Sequence, residues 1–268
     1  MSLDRQENPV VLITGGGSGI GKACAKVFLR EGYRVFISGR DAARLETASA
    51  ELASSAAGGP APEWITADVA DPAQCDRLLE TTDRRAGRID VLINNAAYFD
   101  IGPAREFSAE RWRKMFDVNV HGAFYCAQAF ANILIPQQQE GVILNIGSIS
   151  ARMSADGYSA YAASKAALNS LTRSLAVEWA GHGIRVNCLA PGHTNTEGIQ
   201  EAIAAKELKI DDLLASIPLG RIAEPAEVAE LALFLAGEKA RYLTGQIIYL
   251  DGGRSANGNF VRGDRHEN

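Results

Sequence analysis

Short, apolar, β-branched runs recur along this chain and alternate with longer amphipathic stretches. That alternation limits the possible folds more than any other feature. The first run is Val10-Val11-Leu12-Ile13-Thr14, and others fall at 34–38, 63–66, 91–94, 142–146, 184–189 and 246–250. A strand that reads apolar at every position is covered on both faces. The stretches between them, such as 22–30, 112–134 and 162–179, carry helical periodicity. Strands alternating with helices predict an α/β fold, a doubly wound sheet of seven parallel strands with helices on both faces.

No linker of useful length divides the chain, and residues 56–62 read as a loop before the third strand. We expect one domain over 1–268, with a core at 9–253 and a C-terminal tail at 254–268 that is ordered only if something holds it. The apolar-periodic insertion at 196–217 is a candidate lid, or simply a structural helix pair.

The 268 residues are 47% hydrophobic and 22% charged, as in ordinary globular proteins, and the formal net charge is -5. Without a basic block, a nucleic-acid partner is not expected. The polar start, Met1 to Pro9, lacks the apolar stretch of a secretory signal, and no apolar run reaches membrane-spanning length. Cys24, Cys75, Cys126 and Cys188 are scattered and show no ligand spacing, so we expect reduced core thiols in a cytoplasmic protein and no metal.

Thr14-Gly15-Gly16-Gly17-Ser18-Gly19-Ile20-Gly21 follows the first strand and opens the first helix. Glycine lets the backbone turn sharply and approach a phosphate without a Cβ clash. The helix N-terminus offers free N–H groups and a positive dipole end. A merely flexible turn is the plainer alternative, but strand before and helix after favour a dinucleotide site.

Tyr161 and Lys165 lie four residues apart, one helical turn, so they share a face. An ammonium beside a phenol favours the phenolate, which brings a weak acid closer to neutral pH. Tyr158 is a competitor, but Ala162 follows it at that spacing, so it is expected to flank the pocket. Ser148 follows a strand, whereas Ser159 reads as a helix N-cap. A hydrolase is disfavoured because no Gly-x-Ser-x-Gly elbow occurs around Ser148. His121 reads as a structural helix residue, and His193 as either a substrate contact or a satisfied loop histidine.

The succession Thr14 to Gly21, Asn94-Asn95-Ala96-Ala97, Asn119, Ser148, Tyr161, Lys165 and Pro191-Gly192 resembles the motifs of the short-chain dehydrogenase/reductase family, in order and spacing, over about 10–253. Ala97 departs from the family's usual glycine, a change of one methyl expected to be tolerated. The resemblance implies a Rossmann-type fold and an oxidoreductase interconverting a secondary alcohol and a ketone. It implies that Tyr161 is the general acid or base, that Lys165 lowers its pKa and holds the nicotinamide ribose, and that Ser148 binds the substrate oxygen. It further implies that Asn119 anchors a water linking Lys165 to solvent. Cofactor contacts are implied for Gly15, Gly17, Ser18, Gly19, Ile20, Gly21, Asp68, Val69, Asn94, Ala96, Pro191, Gly192, Thr194 and Thr196, together with Tyr161 and Lys165.

Arg40 ends the second strand, where a basic residue accommodates a 2′-phosphate and an acidic one binds the 2′-hydroxyl. NADP(H) is therefore favoured over NAD(H), although Ser18 supplies no second positive group and Arg40 could equally be a surface arginine. Asp41 is expected to cap the following helix. An NAD(H)-dependent polyol dehydrogenase working oxidatively is the alternative. A non-catalytic redox sensor or scaffold is disfavoured because the catalytic set is intact. The resemblance places Ser148, Ser150, Tyr158, Tyr161 and His193 around a small-molecule substrate, with Arg152 hinting at an anionic or polyhydroxylated one. Small residues at Ala123, Ala127, Ala163, Ala166, Ala167 and Ser170 suit close helix approach, and the family's habit implies a homotetramer, or a homodimer.

Overall fold

The computed structural model describes residues 8–54, 61–205 and 210–256. Seven parallel strands form one sheet in the order β3-β2-β1-β4-β5-β6-β7, as the alternation predicts. In chain order these are β1 (Val10–Thr14), β2 (Arg34–Gly39), β3 (Glu63–Thr66), β4 (Val91–Asn94), β5 (Gly141–Ile146), β6 (Ile184–Pro191) and β7 (Ile247–Leu250). The helices are α1 (Gly19–Arg30), α2 (Ala42–Ala53), α3 (Pro72–Ala86), α4 (Ala109–Phe116), α5 (Gly122–Gln137), α6 (Ser159–Trp179), α7 (Glu197–Ala204), α8 (Ile210–Ala215) and α9 (Pro225–Ala236).

Each strand feeds two cores because successive side chains leave opposite faces. In β1, Val11 and Ile13 pack with Phe28, Leu45 and Val228 on the α1, α2 and α9 side. Val10 and Leu12 pack with Leu79, Phe130 and Leu175 on the α3, α5 and α6 side. Fully burying each such side chain contributes on the order of 1.5–3 kcal/mol. The stability therefore resides in the two cores, and the carboxyl ends of the strands are left for polar groups. The strand order reverses between β1 and β4, which opens a crevice there.

Helix starts obey local chemistry. The Asp41 side chain caps α2 by accepting from Arg44 N at 3.1 Å, as expected. Asp71 caps α3 ahead of Pro72, and Gly87 ends it at φ 80°. Ser159 differs from expectation: it is the first helical residue of α6, and Tyr158 occupies the cap position without a side-chain cap bond.

The stretch 112–134 is not one regular helix. α4 passes into a π turn at Asp117–His121 before α5 begins. One-turn π insertions are frequent at functional sites, and this one carries Asn119. Ala123 and Ala127 are buried in their own core, so they are not free for an interface. Ala166 and Ser170 of α6 are exposed, and Val177 on the same helix is 83% exposed.

All four cysteines are buried free thiols, and Cys75 and Cys126 approach to 3.5 Å between sulfurs. Among the described residues no helix is long and apolar enough to cross a membrane. The insertion expected as a lid resolves into α7 and α8, with 206–209 outside the described residues. The expected tail also divides. Arg254 to Ala256 continue the turn after β7, and 257–268 lie outside the described residues.

Candidate active site

The glycine-rich turn is built for close approach. Gly15 and Gly19 have φ of 65° and 51°, a region that other residues rarely adopt. A Cβ on Gly21 would lie 2.4 Å from the Gly15 carbonyl oxygen, so α1 can pack against the turn only with glycine there. The turn is held from the β4 side. Thr14 Oγ1 accepts from Asn95 N and Ala96 N, both at 3.1 Å, and Asn95 Nδ2 donates to the carbonyls of Thr14 and Gly15 at 3.0 Å. Asn95 is thus a positioning residue to which the sequence motif alone assigns no role. Ala97 is exposed and leaves room for its methyl group.

Two further contacts at this turn are long-range and invisible to motif spacing. A Cβ at Gly17 would touch Arg44 Cγ at 3.3 Å, so the Arg44 side chain lies against the turn. Glu197, the first residue of α7, accepts from Gly19 N at 3.1 Å with its carboxylate Oε2. A carboxylate at this helix N-terminus shows that the turn accepts an anion. Thr196 lies beside it, close enough for its Cγ2 to meet a Cβ on Gly19 at 3.3 Å. The cradle and its anion-accepting N–H group therefore fit the pyrophosphate of a dinucleotide.

Arg40 is exposed at the carboxyl end of β2 and makes no hydrogen bond or ion pair among the described residues. Asp68 is partly buried; its Oδ1 accepts from Ala70 N at 3.0 Å and its N–H donates to Gln74. Val69 is buried where a Cβ on Gly122 would meet it at 2.7 Å. The Asn94 side chain is turned inward, donating to Asn145 Oδ1 at 3.0 Å and the Ala123 carbonyl at 3.2 Å, so it fastens β4 to β5 and α5.

Pro191 ends β6, and Gly192 follows it, its N–H donating to the Leu250 carbonyl at 2.8 Å. Thr194 is buried, with Oγ1 donating to the Gly192 carbonyl. These residues border the same strand ends as the glycine turn.

The catalytic candidates converge from three elements. Ser148 follows β5, and its Oγ accepts from Ser150 N at 3.1 Å. Tyr161 rises from the first turns of α6 beside Ser148. Burial pushes the Tyr161 phenol up to about 12, and the neighbouring Ser148 hydroxyl works in the opposite direction. Lys165 is buried one turn on, and its Nζ donates to the Ile146 carbonyl at 2.8 Å. Desolvation brings its ammonium down to about 8. Nζ lies 5.7 Å from the centre of the Tyr161 ring. The expectation that Lys165 directly lowers the phenol's pKa therefore meets a different balance: here burial outweighs every other influence on Tyr161. Lys165 is poised nearby with its charge directed at the β5 end.

Asn119 is locked from both sides. Its Oδ1 accepts from Tyr98 N at 2.7 Å, and its Nδ2 donates to the Tyr98 carbonyl at 3.0 Å and to Ser164 Oγ at 3.1 Å. Ser164 Oγ in turn donates to the Tyr161 carbonyl at 2.8 Å. Asn119 thus ties the π turn, the loop after β4 and the first turns of α6 into one frame around Tyr161.

Aromatic rings wall this frame. Phe99 stands edge-on to Tyr161 at 4.9 Å and to Tyr158 at 5.9 Å between centroids, and is itself 55% exposed. His193, after β6, accepts on Nδ1 from Arg254 Nη1 at 2.7 Å. Burial brings the His193 imidazole down to about 4, and the Arg254 charge adds to that effect. A cavity of about 240 Å³ adjoins His193, between Ile217, Leu219 and Tyr249; Tyr161 and Ser148 are not among its walls.

Comparison with known proteins agrees with this architecture. The family model described as enoyl-(acyl carrier protein) reductase matches residues 15–255. The probable 2,4-dienoyl-CoA reductase of Bacillus subtilis is 38% identical over 94% of this chain and 98% of its own. The galactitol 2-dehydrogenase of Agrobacterium fabrum is 37% identical over 93% of this chain and 98% of its own. A crystal structure of an actinorhodin polyketide ketoreductase variant with NADPH superposes with a TM-score of 0.87 at 30% identity, covering 93% of this chain and 98% of that one. A glycine cradle for pyrophosphate, a serine–tyrosine–lysine set at the strand ends and relatives that match along nearly their whole length lead to one conclusion: the chain belongs to the short-chain dehydrogenase/reductase family and is an NAD(P)-dependent oxidoreductase.

Proposed function

We propose that the protein interconverts a secondary alcohol and a ketone, with NADP(H) as the preferred cofactor and Tyr161 as general acid and base. The observation that carries this reading is the convergence of Ser148, Tyr161 and the buried Lys165 at the end of β5. The bound nicotinamide would supply or accept the hydride. In reduction, the Tyr161 hydroxyl gives its proton to the substrate oxygen while Ser148 donates a hydrogen bond to the developing alkoxide. In oxidation, Tyr161 takes the alcohol proton. Lys165 counters the phenolate charge and holds the nicotinamide ribose. Asn119, through Tyr98 and Ser164, keeps this set aligned and anchors the water that reconnects Lys165 to solvent.

Gly15, Gly17, Ser18, Gly19, Ile20 and Gly21 would hold the pyrophosphate; Asp68 and Val69 would flank the adenine. Asn94 and Ala96 would line the cleft, with Pro191, Gly192, Thr194 and Thr196 at the nicotinamide end. Arg40, exposed and without a partner among the described residues, supports the NADP(H) preference. Arg44 beside Gly17 supports it further, as a second guanidinium that Ser18 does not provide. We assign the whole chain to one catalytic domain. An exposed α6 face carrying Ala166, Ser170 and Val177 supports assembly through that helix, in a homodimer or homotetramer.

The name of the galactitol 2-dehydrogenase relative favours a second reading, oxidation of a polyol, and we pair that reading with NAD(H). A nicotinamide-absorbance screen separates the two: ketones, polyols and an enoyl thioester are offered with each cofactor in each direction. Ketone reduction with NADPH is expected. Polyol oxidation confined to NAD⁺ would establish the second reading, and reduction of the enoyl thioester alone would refute both.

Glu197 yields a separate prediction. Its carboxylate holds the Gly19 N–H that a pyrophosphate would take. Replacing Glu197 by Gln removes the competing charge, and dinucleotide affinity should rise by ~2–5-fold, the scale of an anion at a helix N-terminus. Fluorescence titration of the cofactor checks this; unchanged or weakened binding would show that the carboxylate does not compete.

A further inference from the structure

We propose that Arg254, seated against His193, recognises an oxyanion on the substrate, so that the alcohol or ketone this protein turns over is an anionic one carrying a carboxylate, phosphate or sulfonate. The proposal rests on the oxidoreductase reading above and names its substrate class.

The geometry begins with the contact between Arg254 Nη1 and His193 Nδ1 at 2.7 Å. A guanidinium can only donate, so Nδ1 must accept. The imidazole is then neutral and carries its proton on Nε2. The pair consequently displays only donors, the remaining guanidinium N–H groups and the imidazole Nε2–H, with a net positive charge. The low pKa of His193, about 4, keeps it in this form at neutral pH.

Among the described residues no carboxylate pairs with this charge. Arg30, Arg34, Arg88, Arg111 and Arg221 each pair with a carboxylate, whereas Arg254 meets an imidazole. The carboxylate that acts electrostatically on Arg254 is Asp251, and both of its oxygens accept from backbone N–H groups. Oδ1 accepts from Gly253 N at 3.0 Å and Oδ2 from Ser255 N at 2.7 Å. Asp251 therefore shapes the turn that presents Arg254. Desolvation lowers the Arg254 pKa, with Tyr158 and Asp251 opposing it. A half-buried guanidinium that meets no carboxylate among the described residues carries a desolvation cost that a bound oxyanion would offset.

Position links this charge to the chemistry. Tyr158 lies within electrostatic range of Arg254 and stands 6.4 Å from Tyr161 between ring centroids. Arg152 lies over the Tyr249 ring at 5.4 Å, adding positive charge beside the wall of the cavity that adjoins His193. A substrate whose carbonyl reaches Tyr161 could thus direct an anionic arm past Tyr158 toward Arg254. A neutral polyol would leave this charge without a partner.

The test compares wild type, Arg254→Gln and Arg254→Lys on short 2-oxo and 3-oxo acids, their methyl esters, and ketones of matched length bearing phosphate or sulfonate. Thermal melting confirms that each variant is folded. Wild type should favour the anions. Arg254→Gln should lose on the order of 10–100-fold in kcat/KM on them, chiefly through KM, with esters within about threefold and Arg254→Lys partly restored. Which anion wins distinguishes the carboxylate from the phosphate and sulfonate classes. Equal losses on acids and esters, or a wild-type preference for esters, would overturn the proposal. Calorimetric titration of the same oxo acids into the protein–NADP⁺ complex gives a readout independent of turnover. Acid binding that depends on Arg254 without turnover with NADPH would sink the alcohol–ketone reading alone, and absence of acid binding would sink this one.

Discussion

Tyr161→Phe is expected to lower turnover by roughly 10²–10⁴-fold, the usual worth of a positioned proton donor, while leaving dinucleotide affinity within about twofold. The substitution is nearly isosteric. The ring keeps its edge contacts with Phe99 and Tyr158, and Lys165 keeps its bond to the Ile146 carbonyl. Only the hydroxyl and the influence of Ser148 on it disappear. The loss should therefore fall on kcat in both directions and leave the melting temperature nearly unchanged. Stopped-flow absorbance of the nicotinamide, alongside a cofactor titration, separates the two quantities. Turnover within tenfold of wild type would remove Tyr161 as the proton donor.

Arg40→Asp should weaken NADPH by roughly 10²-fold and leave NADH unchanged or improved. The loss combines a charge-assisted hydrogen bond, worth about 1.5–3 kcal/mol, with repulsion between the new carboxylate and the 2′-phosphate. The same carboxylate can accept from the 2′-hydroxyl of NADH. Because Arg40 is exposed and bonds no other described residue, its replacement should not disturb the fold. Paired calorimetric titrations decide the matter, and equal changes for both cofactors would contradict the assignment.

Much of the architecture was legible in sequence because strands covered on both faces must read apolar throughout. Val10–Thr14 and Val91–Asn94 announce themselves in this way, and the observed strands fall within a residue or two of expectation. The glycine turn was legible for a similar reason: backbone at φ 65° and 51° leaves little choice of residue. What escaped was long-range. The π turn around Asn119 depends on an insertion of one residue into helical spacing, which periodicity blurs. Arg44 on Gly17, Glu197 on Gly19 and Arg254 on His193 join elements far apart in the chain, and no local pattern encodes such contacts. Ser159 was misplaced by one position because a serine just before a helix and one just inside it look alike in sequence. The balance at Tyr161 was also beyond reach, since proximity to lysine can be counted along a helix but burial cannot.

The most direct test follows the proton on Tyr161 itself. Alcohol oxidation needs the phenolate, so its rate should climb with pH until Tyr161 ionises, whereas ketone reduction needs the phenol and should decline above that point. Burial is the largest reason this group stands at about 12, and charge from Lys165 acting on the substrate-ready complex must bring it lower for oxidation to proceed near neutral pH. NMR titration of ¹³C-labelled tyrosine in the dinucleotide complex, set beside the pH profile of oxidation, reads both quantities. The same ionisation should appear in the two, displaced upward together in Lys165→Met. A rate that rises while the Tyr161 signal stays fully protonated and unshifted would show that the proton travels by another group.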